Sequence, residues 1–181
     1  EFKLDISKVY FSPRLSMERS RIYKIVDSHE EVLDAFAGVC PFSVSLASKG
    51  CKVTAVDSNP DSEFWAHENF RRNKILKPSY DFFCSKIEEI LPELKLYDRI
   101  IMNSPTTSLN YLQLISTKLN IGGVIHLYTI IENDINLRIG DYLPSNFNCV
   151  FERVVHPYSP SSSLMVFDIV KAKGNVQKTN Q

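Results

Sequence analysis

The 181-residue sequence predicts an α/β fold built on a mostly parallel, seven-stranded sheet. Three observations predict it: apolar, β-branched runs alternate with stretches of helical character, each helical stretch has the length of a single crossover, and the pattern ends in two consecutive strands joined by a turn-rich linker. Strands separated by single helices pair in parallel through right-handed crossovers. We therefore expect helices on both faces of the sheet and an antiparallel hairpin at its C-terminal edge.

Each element has its own local signal. The parallel strands are predicted at 31–36, 52–57, 80–85, 97–103 and 122–131. The helical segments are SRIYKIVD, PFSVSLASKG, SEFWAHENFRRNKI and SLNYLQLISTKL, and Gly50 and Gly122 are stop signals after the second and the fourth. The hairpin strands are NCVFERVV and SLMVFDIV, linked by HPYSPSSS. An open parallel sheet that ends in such a hairpin is the Rossmann-like architecture of class I methyltransferases rather than of NAD dehydrogenases.

The composition is that of an ordinary globular domain and excludes disordered, collagen-like and disulfide-scaffold proteins. Lys plus Arg and Asp plus Glu each number 21, so a nucleic-acid site would have to come from local clustering of charge. The 4 cysteines are irregularly spaced, without a CxxC pair, which argues against zinc or disulfides. No apolar run approaches the roughly 18–20 residues of a membrane span. We therefore expect no metal, no membrane association, and a monomer in the cytoplasm, with the nucleus or a mitochondrion as alternative compartments.

A small-residue turn follows the first strand and leads into a helix, in the segment 34–42. Such a turn lets a ligand approach the backbone at Gly38, and Phe36 and Pro41 are its expected walls. Asp57 ends the second strand, where a carboxylate can accept hydrogen bonds from both hydroxyls of a ribose. Asp34 and Asp57 could each be a cap or turn residue, but their joint position at neighbouring strand ends favours a nucleoside cofactor. The segment lacks the G-x-G-x-x-G loop of a dinucleotide site, so S-adenosylmethionine is the better fit.

The fourth strand ends at Asn103-Ser104-Pro105. This tripeptide resembles the (Asn/Asp)-Pro-Pro-like motif by which amino-modifying class I methyltransferases hold a planar nitrogen beside the methyl donor. A side-chain amide offers both a donor and an acceptor, and a turn stiffened by proline fixes its geometry. A plain strand-to-loop turn is the alternative interpretation.

The segment YFSPRLSMER, residues 10–19, lies just upstream of DAFAGVCPFS. Together with DSNPDSEFWAHENFRRNK, DRIIMNSP, GGVIHLY and HPYSPSSSLMVFDI, it resembles the archaeal and eukaryotic tRNA (guanine-N1)-methyltransferases that act on guanosine 37, and the similarity covers nearly the whole chain. The resemblance implies S-adenosylmethionine as cofactor and tRNA as partner. It also implies an RNA-binding domain upstream of Glu1. We therefore expect the catalytic core alone, with a linker and RNA-handling segment at 1–28, the methyltransferase domain at 29–172 and a flexible tail at 173–181.

The same resemblance implies roles for individual residues. Glu18 is the general base for the N1 proton of guanine, and Arg19 and Asn103 complete the catalytic set, although without the resemblance Glu18 and Arg19 would be assigned to a solvated helix face. Guanine N1 carries a proton at neutral pH, so its lone pair attacks a methyl group only as that proton leaves and charge develops on O6. The implied cofactor-binding residues are Asp34, Phe36, Gly38, Pro41, Asp57, Ser85 and Asn103. The implied substrate-binding residues are Tyr10, Arg14, Arg19 and Pro105.

Two departures from the family pattern bear on the cofactor site. Cys40 replaces the second glycine of Gly-Val-Gly-Pro and is expected to narrow the turn. Cys84-Ser85 replaces a Gly-Asp pair, so Ser85 supplies only part of an aspartate's hydrogen bonding to adenine. Two alternative functions therefore stay open: the related aminocarboxypropyl transferase of wybutosine synthesis, and a non-catalytic RNA-binding or scaffold domain with an impaired cofactor site.

Basic residues cluster in two segments of the sequence. Such clusters can follow the phosphates of RNA even in a neutral protein, and solvated helix faces are the alternative. The first cluster is Lys8, Arg14, Arg19, Arg21 and Lys24, and the second is Arg71, Arg72, Lys74 and Lys77.

Overall fold

The computed structural model describes residues 1–135 and 137–173. The helices are α1 (Ser16–Ile25), α2 (Pro41–Ser48), α3 (Pro60–Arg72), α4 (Ile87–Ile90) and α5 (Ser108–Ser116). The strands are β1 (Glu31–Asp34), β2 (Lys52–Asp57), β3 (Tyr80–Cys84), β4 (Tyr97–Met102), β5 (Leu119–Glu132), β6 (Phe147–Pro157) and β7 (Ser162–Lys171). Short 3-10 turns cover Pro13–Leu15, Leu91–Glu93 and Ile139–Tyr142.

The seven strands form one sheet in the order β3-β2-β1-β4-β5-β7-β6. The first five strands pair in parallel, whereas β7 pairs antiparallel with both β5 and β6, so the predicted fold class is confirmed. The direction of the strand order reverses at β1, which has β2 on one side and β4 on the other. Asp34 pairs with Ala55 of β2 and with Ile101 of β4, so the C-terminal ends of these three strands lie side by side. Open α/β sheets bind their ligands at such a switch point.

Three elements show the clearest differences from the prediction. Helix α1 begins at Ser16 rather than at residue 20, because the preceding 3-10 turn leads directly into it and the buried Glu18 hides its apolar period. Strand β5 begins at Leu119, three residues before the predicted strand, and its Gly123 lies so close to β4 that a Cβ would be 2.8 Å from the carbonyl oxygen of Asp98. Helix α4 was not predicted, because its 4 residues are too short to show a period.

The core consists of two apolar clusters divided by the sheet. Adjacent residues of β1, Val32 and Leu33, belong to different clusters because successive side chains of a strand point to opposite faces. Ile22 of α1 and Val26, which follows the helix, are buried in the same cluster as Val32 and Phe42. The segment before residue 28 is thus packed onto the sheet and carries α1 to the edge where β1 ends.

The proposed division of the chain at residues 28 and 172 stays a prediction. Most of the predicted tail, residues 174–181, lies outside the described residues. Within the described ranges, none of the helices combines the length and the apolar character that crossing a bilayer requires.

Candidate active site

A cavity of about 260 Å³ opens where β1, β2 and β4 end. Its walls come from the N-terminal segment with α1, the turn after β1, the loop after β2 and the loop after β4. It therefore lies at the switch point of the sheet. The lining residues are Tyr10, Phe11, Ser12, Leu15, Arg19, Phe36, Ala37, Gly38, Pro41, Asp57, Ser58, Asn59, Ser62, Asn103 and Ser104.

The carboxylate of Asp57 accepts a hydrogen bond from the backbone of the turn after β1. Gly38 has a φ of 53°, in the left-handed region that glycine adopts without the steric cost of a side chain. Its N–H donates to Oδ2 of Asp57 at 2.7 Å, and the N–H of Asn59 donates to Oδ1 at 2.9 Å. Each carboxylate oxygen keeps a further lone pair, so Asp57 can still accept hydrogen bonds from a ligand in the cavity.

Two buried oxygens at the ends of β1 and β4 have no hydrogen-bond partner among the described residues: Oδ1 of Asp34 and Oδ1 of Asn103. Burial raises the pKa of Asp34 to about 7, although the hydroxyl of Ser43 donates to its other oxygen at 2.6 Å. Buried acceptors are normally satisfied. These two oxygens therefore suit a ligand that brings N–H donors or a positive charge.

Glu18, the predicted general base, does not line the cavity, although its neighbour Arg19 does. Its carboxylate is fully buried and accepts from three donors. The Tyr128 hydroxyl and Nε of Arg21 each lie 3.0 Å from Oε2, and the guanidinium of Arg153 donates to Oε1. The role of Glu18 as a base stays a prediction, and it requires the carboxylate to leave some of these donors.

A polar network beneath α1 fixes this arrangement. Arg21 donates twice to Asp168, at 2.6 and 3.0 Å. Nε2 of His126 lies 2.7 Å from a guanidinium nitrogen of Arg99, which can only donate, so Nδ1 of His126 carries the proton and donates to Asp168 at 2.6 Å. Burial alone would raise the pKa of Asp168, but the hydrogen bonds from His126 and Arg21 outweigh it and lower the pKa to about 2. Asp168 is therefore ionised at neutral pH and anchors Arg21 beside Glu18.

Of the predicted site residues, 7 line the cavity together. They are Tyr10, Arg19, Phe36, Gly38, Pro41, Asp57 and Asn103. The other 5, which do not line it, are Arg14, Glu18, Asp34, Ser85 and Pro105. Arg14 is exposed on the 3-10 turn, Asp34 is buried at the end of β1, and the carbonyl of Pro105 accepts from the N–H of Ile130 at 3.1 Å.

The two departures from the family pattern have different outcomes. Cys40 is fully buried, packs in the apolar core and does not line the cavity, and the expected narrowing of the turn stays a prediction. The hydroxyl of Ser85 lies 3.2 Å from the carbonyl oxygen of Lys86 and 3.3 Å from Glu89 instead of lining the cavity.

Comparison with known proteins assigns the chain to a family. The family model described as the TRM5/TYW2 methyltransferase domain matches residues 1–141. The chain belongs to the TRM5/TYW2 methyltransferase family. This TRM5/TYW2 domain is 43% identical over 126 residues to the tRNA (guanine(37)-N(1))-methyltransferase Trm5b of Pyrococcus abyssi, a match that covers 70% of the chain. The chain spans only 37% of the length of that relative.

The chain also resembles solved structures. The crystal structure of Methanocaldococcus jannaschii Trm5 in complex with adenosine aligns with a TM-score of 0.79 at 30% identity, over 96% of this chain and 54% of that one. A complex of aTrm5 and tRNALeu aligns with a TM-score of 0.84 at 32% identity, over 95% of this chain and 50% of that one. Structures of TYW2 from M. jannaschii and P. horikoshii align at 23% and 22% identity, which shows a shared fold alone.

The basic clusters of this TRM5/TYW2 domain are partly neutralised. In the second cluster, Arg71 and Arg72 both pair with Glu68, at 2.9 and 2.8 Å. In the first cluster, Lys8 pairs with Asp61 at 3.1 Å. The second cluster therefore offers less free charge to RNA than its sequence indicates.

The TRM5/TYW2 cavity also contains residues that the sequence analysis missed. Ser58 and Asn59 follow Asp57 directly and line the cavity because a loop after a parallel strand lies at the same sheet edge as its last residue. Ser62, in the first turn of α3, lines it as well. Phe11 is half-buried at the wall, and the Arg19 guanidinium lies 5.2 Å from its ring centre. Tyr10 is 82% exposed at the rim. The position of the loop after β2 was the available signal for Ser58 and Asn59.

Proposed function

We propose that this chain is the catalytic part of an S-adenosylmethionine-dependent enzyme that methylates N1 of guanosine 37 in tRNA. The observation that carries the proposal is the cavity where β1, β2 and β4 end, because Asp57, Asn103 and Arg19 meet there. Family membership supports the same activity, since relatives that bear this activity in their names share the domain. The activity of the whole protein is a proposal, because the chain spans little more than a third of such a relative.

The donors and acceptors of the cavity fit S-adenosylmethionine. That molecule brings an ammonium group and two ribose hydroxyls. The unpartnered oxygen of Asn103 would accept from the ammonium group, and Asp57 would accept from the hydroxyls. The carboxylate of Asp34, buried at the end of β1, would add negative charge that favours the ammonium group. When bound, S-adenosylmethionine supplies an electrophilic methyl group on a sulfonium.

The remaining cavity residues would handle guanine. The amide of Asn103 offers a donor and an acceptor to the edge of a planar base, and Tyr10 offers an exposed ring at the rim on which a base can stack. Arg19 is half-buried, and burial lowers the pKa of its guanidinium without removing its charge. A cation there would stabilise the negative charge that develops on O6. Glu18 would take the N1 proton once its carboxylate turns from its present donors towards the cavity.

A product analysis tests the proposal. The full-length protein is incubated with S-adenosylmethionine and a tRNA transcript that carries guanosine at position 37, and the digested nucleosides are identified by mass spectrometry. We expect 1-methylguanosine from this transcript and none from a control transcript with adenosine at position 37. A nucleoside with an aminocarboxypropyl group would instead identify the alternative transferase. Cofactor and tRNA binding without any modified nucleoside would identify a non-catalytic domain, and either result would overturn the proposal.

A further inference from the structure

Two open grooves run round helix α1, next to the cavity. The first, of about 460 Å³, shares Arg19 and Pro41 with the cavity wall. The second, of about 360 Å³, lies towards β6 and shares Ser16, Ser20 and Lys24 with the first. The shared residues join the cavity and both grooves into one surface, and we call the two grooves the α1 track.

The α1 track is cationic and carries hydroxyl groups. Its cations are Arg19, Arg21, Lys24 and Arg153. Among the residues that the structure describes, none of those lining the two grooves is acidic. Two buried carboxylates, Glu18 and Asp168, pair with these cations from below, which leaves the track a net charge of about +2. A surface of this charge, continuous with a nucleobase-sized cavity, fits a polyanionic strand.

Arg153 lies at the far end of the track, where it contacts Glu18. Its side chain is 43% exposed, whereas the side chain of Arg21 is 19% exposed and Tyr128 is fully buried. Of the three donors to Glu18, Arg153 is therefore the most accessible to a solute. A ligand can bind it without disturbing the core.

We propose that the α1 track binds phosphates of the RNA strand that leads away from the cavity, and that Arg153, at its far end, pairs with a phosphate in place of Glu18. The proposal rests on the proposed function, because it takes the cavity to hold a nucleotide of tRNA. A phosphate competes well for a guanidinium, since it accepts two charge-assisted hydrogen bonds and RNA releases counterions on binding. Glu18 then has only Arg21 and Tyr128 as donors. Binding of the RNA strand therefore frees Oε1 of Glu18, the residue that the proposed function needs as a base.

The first experiment tests the track itself. The affinity of the full-length protein for an anticodon stem-loop RNA is measured by fluorescence anisotropy between about 50 and 200 mM salt. Each lost phosphate contact should reduce the slope of log affinity against log salt by about 0.7–0.9. We expect this loss for Lys24→Gln and for Arg153→Gln. The matched control is Lys52→Gln, because Lys52 is 67% exposed and begins β2, at the opposite end of that strand from the cavity.

If both track variants keep the parent's slope of log affinity against log salt, the proposed binding of phosphates by the α1 track is wrong. That result leaves the methylation of guanosine 37 by the parent protein untouched, so failure of the track and failure of the proposed function are distinguishable. Conversely, a reduced slope in the track variants, together with a parent protein that forms no modified nucleoside, would support the α1 track and refute the proposed function.

The second experiment tests the competition for Arg153. Carbon-13 NMR of labelled glutamate carboxyls follows Glu18, which is assigned by its absence in Glu18→Gln. The probe is the same stem-loop with adenosine in place of the target guanosine, so no reaction occurs. RNA should move the Glu18 resonance of the parent towards its position in Arg153→Gln, and it should leave the resonance of that variant nearly unchanged. A parental resonance that stays fixed while the RNA binds would overturn the competition.

Discussion

Replacement of the buried Asp34 by asparagine should stabilise the ligand-free protein at alkaline pH. Burial raises the pKa of this carboxyl from 3.8 to about 7. A folded-state pKa above the unfolded value contributes stability that is complete below about pH 4 and is lost as the pH rises through about 7. From pH 5 to pH 7 the loss is two pH units at about 1.4 kcal/mol per unit, or about 3 kcal/mol. Asparagine does not titrate, and it keeps an oxygen that can accept from Ser43, so the variant should escape this loss.

Urea denaturation of the parent and of Asp34→Asn at pH 5 and pH 8 measures the effect. The stability of the variant relative to the parent should rise by about 3 kcal/mol between the two pH values. The control is Asp134→Asn, since Asp134 is exposed and its replacement should give no such change. S-adenosylhomocysteine, which brings an ammonium group, should stabilise the parent at pH 8 more than the variant. A relative stability that is constant with pH to within about 0.5 kcal/mol would refute the assignment of Asp34 as a buried, proton-binding carboxyl.

Three further predictions concern the cofactor contact, the base and the sheet. Asp57→Ala should weaken S-adenosylhomocysteine binding about tenfold to a hundredfold in calorimetry, because it removes charge-assisted hydrogen bonds, and an unchanged affinity with an intact fold would exclude Asp57 from the site. Glu18→Gln should slow single-turnover methylation by about 10²–10⁴-fold with cofactor affinity nearly constant, and a rate within about threefold of the parent would mean that the N1 proton leaves by another route. Gly123→Ala should cost about 1–3 kcal/mol of stability in urea denaturation, because its Cβ would lie 2.8 Å from a backbone oxygen. Gly140→Ala, with nothing within 4 Å, should cost almost nothing, and equal costs for the two variants would contradict this packing argument.

Local sequence patterns predicted most of the fold and much of the cavity. The strand that ends at Asp57 and the turn that contains Gly38 follow from a short apolar run and from turn chemistry, which act over only a few residues. Parallel pairing predicts that residues at the C-terminal ends of neighbouring strands lie close together at one edge of the sheet. Asp57 and Asn103 do line the same cavity. The role of Ser85 came from the family resemblance and stays a prediction, because a position at the end of a strand fixes the backbone and not the direction of the side chain.

The sequence by itself determined the order of helices and strands, the antiparallel hairpin and the turn beside Asp57, because hydrophobic period and turn-forming residues are properties of neighbouring positions. Only the tertiary structure decided the surroundings of Glu18. Its donors Tyr128 and Arg153 lie 110 and 135 positions away along the chain. They meet Glu18 because β7 inserts between β5 and β6, and the register of that insertion sets Asp168 opposite His126. Strand order and register determine which buried charged groups come into contact. The spacing of residues along the chain does not specify strand order or register.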